Sequence, residues 1–300
     1  LLKGQAAYIG ERQKKTRQDC QTKLELLWKE LIMSLLEALI LGIVQGLTEA
    51  LPISSSAHII ITEHLLGLTF EGLTLEVFLH LASVLAVIIY FRKDLVNVIK
   101  GFFGYLSQKT EENKVHFRFG LYIIVATMIT GVLGILLKDL LDESLKSPAI
   151  IAASLTLTGI LLIFIERFKK IGQKTPGTMT WKDTLVVALA QSLAIIPGIS
   201  RSGSTLVAGL LTGLDRKTAV RFSFLLAIPV ILGSSILEMR NISGALVEQT
   251  GVGSLAIGFI ASFIFSLIGI VWLIKFLEKS KLFYFAIYCF LLAGFVLIYL

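Results

Sequence analysis

Charge is scarce in this 300-residue sequence: 16% of its residues are Asp, Glu, Lys or Arg, against 55% apolar ones. Soluble domains carry about 25% charged residues, so a water-facing surface is excluded for most of the chain. Cysteine is nearly missing. Cys20 and Cys289 are too few and too far apart for a disulfide framework or a thiolate metal site. Proline is scarce as well, five in all, yet Pro52 and Pro197 fall in the middle of apolar stretches, where a proline ends or kinks a helix.

What remains is hydrocarbon, and it is arranged in long runs. Segments able to cross an apolar core of about 30 Å as helices lie at roughly 70 to 91, 119 to 138, 149 to 166, 217 to 236, 253 to 275 and 283 to 300. Two more apolar stretches, about 34 to 66 and 183 to 214, are broken at their centres by Pro, Gly and Ser. Such breaks suit pairs of half-helices that meet inside the protein. The expected fold is an all-α polytopic membrane protein with six transmembrane helices and two re-entrant helical hairpins.

Lys and Arg collect in "FRKDLVNVIKGFFGYLSQKTEENKVHFR", "ERFKKIGQKTPGTMTWKD", "LDRKTAVR" and "KFLEKSK", and are fewer in "KDLLDESLKS" and "EMRNISGALVEQTGVG". The basic connections are therefore expected on the cytoplasmic side, with the first hairpin opening from the outside and the second from the cytoplasm. A net charge of +7 fits basic loops beside anionic lipids and calls for no nucleic-acid partner. Residues 1 to 32 fit this topology badly and lack the build of a signal peptide. "MSLLEALILG" from Met33 reads as the natural start, so 1 to 32 is expected to be an extension, an amphipathic surface helix being the alternative. Residues 33 to 300 then form one integral membrane domain.

Shifted by 146 positions, "LILGIVQGLTEALPISSSAHIIITEHLLGL" (39 to 68) aligns without a gap with "LVVALAQSLAIIPGISRSGSTLVAGLLTGL" (185 to 214). Leucine matches are cheap here, but Gln45 with Gln191, Ser54 with Ser200 and Ser56 with Ser202 share one register. Repeat 1 spans about 33 to 168 and repeat 2 about 180 to 300. Three spans between the copies make the second enter from the opposite face, an inverted-topology repeat whose broken helices meet near mid-membrane. Their positive ends can hold an anion there.

The chemistry-bearing residues sit on the breaks. Gln45 and Glu49 are four apart and share a helix face, and Ser55 and His58, three apart, share the next one, within reach for an imidazole to take a hydroxyl proton. Across the repeat, Ser200, Arg201, Ser202 and Thr205 surround Gly198 and Gly203, whose bare backbone lets N–H groups approach a phosphate. Arg201 is the only charged residue from Thr184 to Leu214. Each member has a plain alternative. Ser54 or Ser55 can cap a half-helix, His58 can be a core residue, Glu49 and Arg201 can form a structural pair, and Gln45 and Gln191 can be interhelical glue. His64, Glu76 and His80 read as structural. An intramembrane acid and base are costly, however, and together these residues supply an acid, a base, a nucleophile and an anion clamp.

At "VQGLTEALPISSSAH" and "PGISRSGST" the sequence resembles the bacitracin-resistance type of undecaprenyl-diphosphate phosphatase, a family of bacterial inner-membrane enzymes. The similarity extends through "RKTAVRFSFLLAIPVI" and covers about 33 to 300. It implies hydrolysis of undecaprenyl diphosphate to undecaprenyl phosphate and inorganic phosphate, recycling the lipid carrier of peptidoglycan precursors and conferring resistance to bacitracin, with Mg²⁺ or Ca²⁺ required. It also implies an active site opening to the periplasmic face. The motif residues fall on Gln45, Glu49, Ser54, Ser55, His58, Ser200, Arg201 and Thr205, with Ser202 and Gly198 beside the phosphate. Many members have Glu where this chain has Gln45, so a metal site at Glu49 and Gln45 would be poor in carboxylates. Three routes stay open for the nucleophile: Ser55 with His58 as base, His58 itself, or water activated by Glu49. A secondary transporter or flippase for an anion or lipid phosphate is the alternative function, and a homodimer is left open.

Overall fold

The computed structural model describes residues 34–68, 74–137, 147–168, 172–239, 250–279 and 282–300, and these form eleven helices and no strand. The expected extension at 1 to 32 lies outside the described residues, as do most of the two weakly basic loops, at 138–146 and 240–249.

The broken hairpins form as local chemistry dictates. Ser34 opens α1 (Leu35–Ala50) with a reciprocal cap: its hydroxyl accepts from the Glu37 N–H, and the Glu37 carboxylate accepts from the Ser34 N–H at 2.7 Å. Pro52 forces Leu51 into extended backbone and ends the helix. Ser54, at φ +68°, turns the chain, and its hydroxyl caps α2 (Ser55–Leu66) by accepting from Ala57 N–H. The elements that follow are α3 (Thr74–Tyr90), α4 (Arg92–Ser107), α5 (Glu111–Leu137) and α6 (Pro148–Phe168). The second copy repeats the pattern. Thr180 and Asp183 cap α7 (Trp181–Leu193) reciprocally, Ser200 caps α8 (Arg201–Leu211) through Gly203 N–H, and α9 (Arg216–Met239), α10 (Val252–Glu278) and α11 (Leu282–Tyr299) complete it. Ser55 and Arg201, the first residues of α2 and α8, are separated by the repeat shift of 146. The matched glycines Gly67 and Gly213 both take the left-handed backbone after those helices, at φ +67° and +94°.

Among the described residues five helices are long and apolar enough to cross a membrane, and six spans result when α3 and α4, bent by 74° to each other, count as one. The five correspond to five of the expected segments, and the sixth, 70 to 91, corresponds to α3, the first arm of the bent pair. The basic stretch after Tyr90 departs from the reading as a connection: Arg92–Ser107 is helical, and α5 starts at Glu111, well before the expected 119. Its periodicity explains this, since Val98 and Gly101 are buried while Arg92, Lys93 and Lys100 stay exposed, the pattern of a helix lying along an interface. Arg221 on α9 pairs with Asp94 of α4 at 2.8 Å and holds the bend.

The two copies interlock. The broken helix α1 packs along α10 of the second copy, while α7 packs along α5 of the first. Small residues permit this approach, for a side-chain carbon would lie 2.3 Å from the Gly258 carbonyl oxygen at Gly42 and 2.5 Å from that of Ser262 at Gly46. Ser83 on α3 and Ser262 and Ser266 on α10 hydrogen-bond in a chain at 2.9 to 3.1 Å. Outward-facing Ile135, Leu136, Leu291, Leu297 and Ile298 are more than 60% exposed, which is where lipid rather than water is the solvent.

Candidate active site

The two hairpin tips meet at a cavity of about 260 Å³. Ser54, Ser55 and Ser56 reach it from the start of α2, and Ser200, Arg201 and Ser202 from the start of α8, so two helix N-termini point into one space. First-turn N–H groups have no partner within their own helix, and the helix dipoles add positive potential. Ser202 Oγ donates to the Leu51 carbonyl at 3.0 Å and joins the tips directly.

Glu49, 6% exposed at the end of α1, is the hub. Its Oε1 accepts from Arg201 Nη2 at 2.6 Å. Its Oε2 accepts from Ser55 Oγ at 2.7 Å and from Gln45 Nε2 at 3.0 Å, and lies 3.0 Å from His80 Nε2. The Glu49 side chain is thus fixed from four directions, and Glu76 is the other carboxylate among the described residues that line the cavity. The i to i+4 relation of Gln45 and Glu49 is realised as a hydrogen bond on one face of α1.

The expected hydrogen bond between Ser55 and His58 is not formed. His58 Nδ1 turns back to the Ser54 carbonyl at 2.6 Å, and Nε2 faces the Tyr288 hydroxyl at 2.7 Å, with the two rings stacked. Since Nδ1 must donate to a carbonyl, the Tyr288 O–H donates to Nε2. Both nitrogens are engaged, and Ser55 points to Glu49 instead. Helical spacing put the two side chains on one face but could not say that each had a better partner off it.

The remaining expected residues stand around the cavity wall. Ser200 Oγ and Ser202 Oγ are 3.3 Å apart. Thr205 Oγ1 donates back to the Arg201 carbonyl at 2.9 Å and is in close contact with Ser223 Oγ, tying α8 to α9. Gly198 is buried at φ +90° and shapes the turn, where a side chain would strike Ser154. Gln45, His58, Thr205 and Gly198 do not themselves line the cavity. Gln191 donates to Thr130 Oγ1 on α5 at 3.0 Å, which is interhelical glue. Tyr288 is a residue that the sequence reading passed over, and His80 one that it read as structural. A polar group inside an apolar span was the available signal for His80; Tyr288, among the aromatics of α11, carried none.

A family model described as bacitracin resistance protein BacA matches residues 38–295. The chain belongs to the BacA family. Its relatives in that family include undecaprenyl-diphosphatase 2 of Halalkalibacterium halodurans, 58% identical over 268 residues, which cover 89% of this chain and 96% of that one. Undecaprenyl-diphosphatase 1 of Shouchella clausii is 55% identical over 268 residues, 89% of this chain and 97% of its own. Undecaprenyl-diphosphatase 1 of Bacillus cereus is 42% identical over 265 residues, 88% and 97% of the two chains. The match to BacA proteins takes in both hairpins and every residue around Glu49.

Proposed function

We propose that the protein is an undecaprenyl-diphosphate phosphatase of the bacterial inner membrane, releasing inorganic phosphate and undecaprenyl phosphate at a site that opens to the periplasmic face. One observation carries the reading: a serine hydroxyl donates to a buried carboxylate at 2.7 Å inside a cavity on which a guanidinium and two helix N-termini converge. Phosphoryl transfer is chiefly positioning and charge stabilisation, and these groups supply both.

In this reading the terminal phosphate enters between the tips, where Arg201 and the first-turn N–H groups of α2 and α8 hold its oxygens. Glu49 accepts the Ser55 proton as Oγ bonds to phosphorus, and the bridging P–O bond breaks to release undecaprenyl phosphate. Glu49 returns that proton to the departing undecaprenyl phosphate, and water then attacks the phosphoserine, one of its protons restoring the Ser55 hydroxyl as inorganic phosphate leaves. His58 and Tyr288 hold the first turn of α2 to α11, so that Ser55 stays aimed at Glu49. Turnover would recycle the lipid carrier for peptidoglycan synthesis and underlie bacitracin resistance.

The Mg²⁺ or Ca²⁺ implied by the family resemblance has a partial set of donors. Gln45 Oε1 is buried without a hydrogen-bond partner, an oxygen suited to a hard cation. Among the described residues no group of three or more His, Cys, Asp or Glu is placed to hold a metal ion. Glu49 and Gln45 would therefore hold the ion only together with phosphate oxygens, and its contribution when bound is to offset phosphate charge. Phosphate release from undecaprenyl diphosphate by purified protein in detergent tests the reading. A carrier needs a membrane gradient or two compartments and would release none.

A further inference from the structure

The partners of Glu49 have different futures once a phosphate arrives. Arg201 holds Oε1 at 2.6 Å, but its guanidinium is also the strongest phosphate donor in the cavity, so the incoming anion competes for it. A carboxylate beside a bound phosphate is at the same time pushed away by like charge. Gln45 cannot oppose this alone, because it lies on α1 and moves with Glu49.

His80 comes from another element, and its ring is fixed at both ends. Nδ1 is 2.7 Å from the Glu76 carbonyl oxygen one turn earlier on α3, and Nε2 is 3.0 Å from Glu49 Oε2, the oxygen that receives the Ser55 hydroxyl, so, unlike His58, the ring faces an oxygen acceptor at each nitrogen and donates from both. We propose that His80 is a positioning residue: Nε2–H keeps Glu49 Oε2 on the Ser55 hydroxyl after Arg201 has turned to the phosphate. The proposal rests on the Ser55 and Glu49 chemistry given above.

Two amides separate this role from simple packing. In His80→Asn the side-chain nitrogen falls near Nδ1 and reaches only the Glu76 carbonyl; in His80→Gln it falls near Nε2 and reaches Glu49. Phosphate release from undecaprenyl diphosphate is measured for wild type and both variants in detergent, with melting temperatures recorded alongside. The Asn variant should lose kcat on the order of 100-fold with KM little changed, the scale of a misplaced reacting group, and the Gln variant should recover most of it. Equal rates for the folded Asn and Gln variants, or a loss confined to KM, overturn the role of His80. Should the Asn variant fail to fold, the Gln variant decides: near-wild-type kcat supports the proposal, and a folded but inactive Gln variant overturns it. A wild type that releases no phosphate instead removes the phosphatase reading, and the proposal with it.

Discussion

The Arg201 guanidinium donates to Glu49 Oε1 at 2.6 Å across 152 positions of sequence, and so joins the tip of the second hairpin to the end of the first. Both side chains are largely buried, 17% and 6% exposed, in a protein whose surroundings are hydrocarbon. A pair that only held the fold would gain little over well-packed apolar residues. It lies in a cavity onto which the N-termini of α2 and α8 open, which is what an anion site requires.

Arg201→Ala should therefore lose on the order of 1,000-fold in kcat/KM, the scale of removing one strong donor from a developing charge. Arg201→Lys should recover little, since an ammonium cannot present the planar fork. Steady-state phosphate release together with thermal melting checks this. A well-folded alanine variant with ordinary activity would reduce Arg201 to a structural charge.

Ser55 and His58 should separate in the same assay. Ser55→Ala should abolish turnover, whereas Tyr288→Phe, which removes the hydroxyl facing His58 Nε2, should cost no more than about tenfold, since His58 then keeps its bond to the Ser54 carbonyl and only the support of α2 is loosened. Rapid quenching with terminally labelled substrate should trap phosphate on Ser55. Label on His58 would replace the serine route with direct attack by the imidazole.

Much of this arrangement was legible in the sequence, because helix breaks and caps are local. Pro52, Ser54 and Ser200 act within four residues of themselves, and the polar identities of the repeat located both tips. The helix over 92 to 107 was not legible as such, since its basic residues mask an amphipathic period that shows only once α5 covers Val98 and Gly101. The partner of Ser55 was hidden for a different reason. Helical spacing says which residues share a face, but Glu49 reaches Ser55 across the break at Pro52, and His80 reaches Glu49 from α3, a tertiary meeting with no sequence period.

Packing of the interlocked copies should depend on Gly46. A side-chain carbon there would lie 2.5 Å from the Ser262 carbonyl oxygen and 2.9 Å from the Ser266 nitrogen, both backbone atoms of α10 that cannot rotate away. Gly46→Ala should cost about 1–3 kcal/mol as an overpacked contact. Gly131→Ala, on α5 with open space around the same position, should be neutral or slightly stabilising. Melting curves of the two variants in one detergent compare them directly, and equal behaviour would mean that α1 and α10 can separate at no cost.

Gln45→Glu tests the neutral amide beside the hub. Gln45 Nε2 now donates to Glu49 Oε2 at 3.0 Å, while its Oε1 is buried without a partner. The exchange removes that donor and sets two carboxylates against each other, a like-charge contact that a bound cation would relieve. The variant should melt lower than wild type in a chelator and gain more from added Mg²⁺ or Ca²⁺, because a ligand that binds the folded state raises its stability in proportion to its affinity. Activity should be retained but shift to a steeper metal dependence, since the changed residue binds rather than transfers a proton. Melting temperature against metal concentration in both forms separates the outcomes without relying on turnover. Identical shifts in the two would show that no cation approaches Gln45, and would move any metal requirement onto Glu49 and the substrate phosphates.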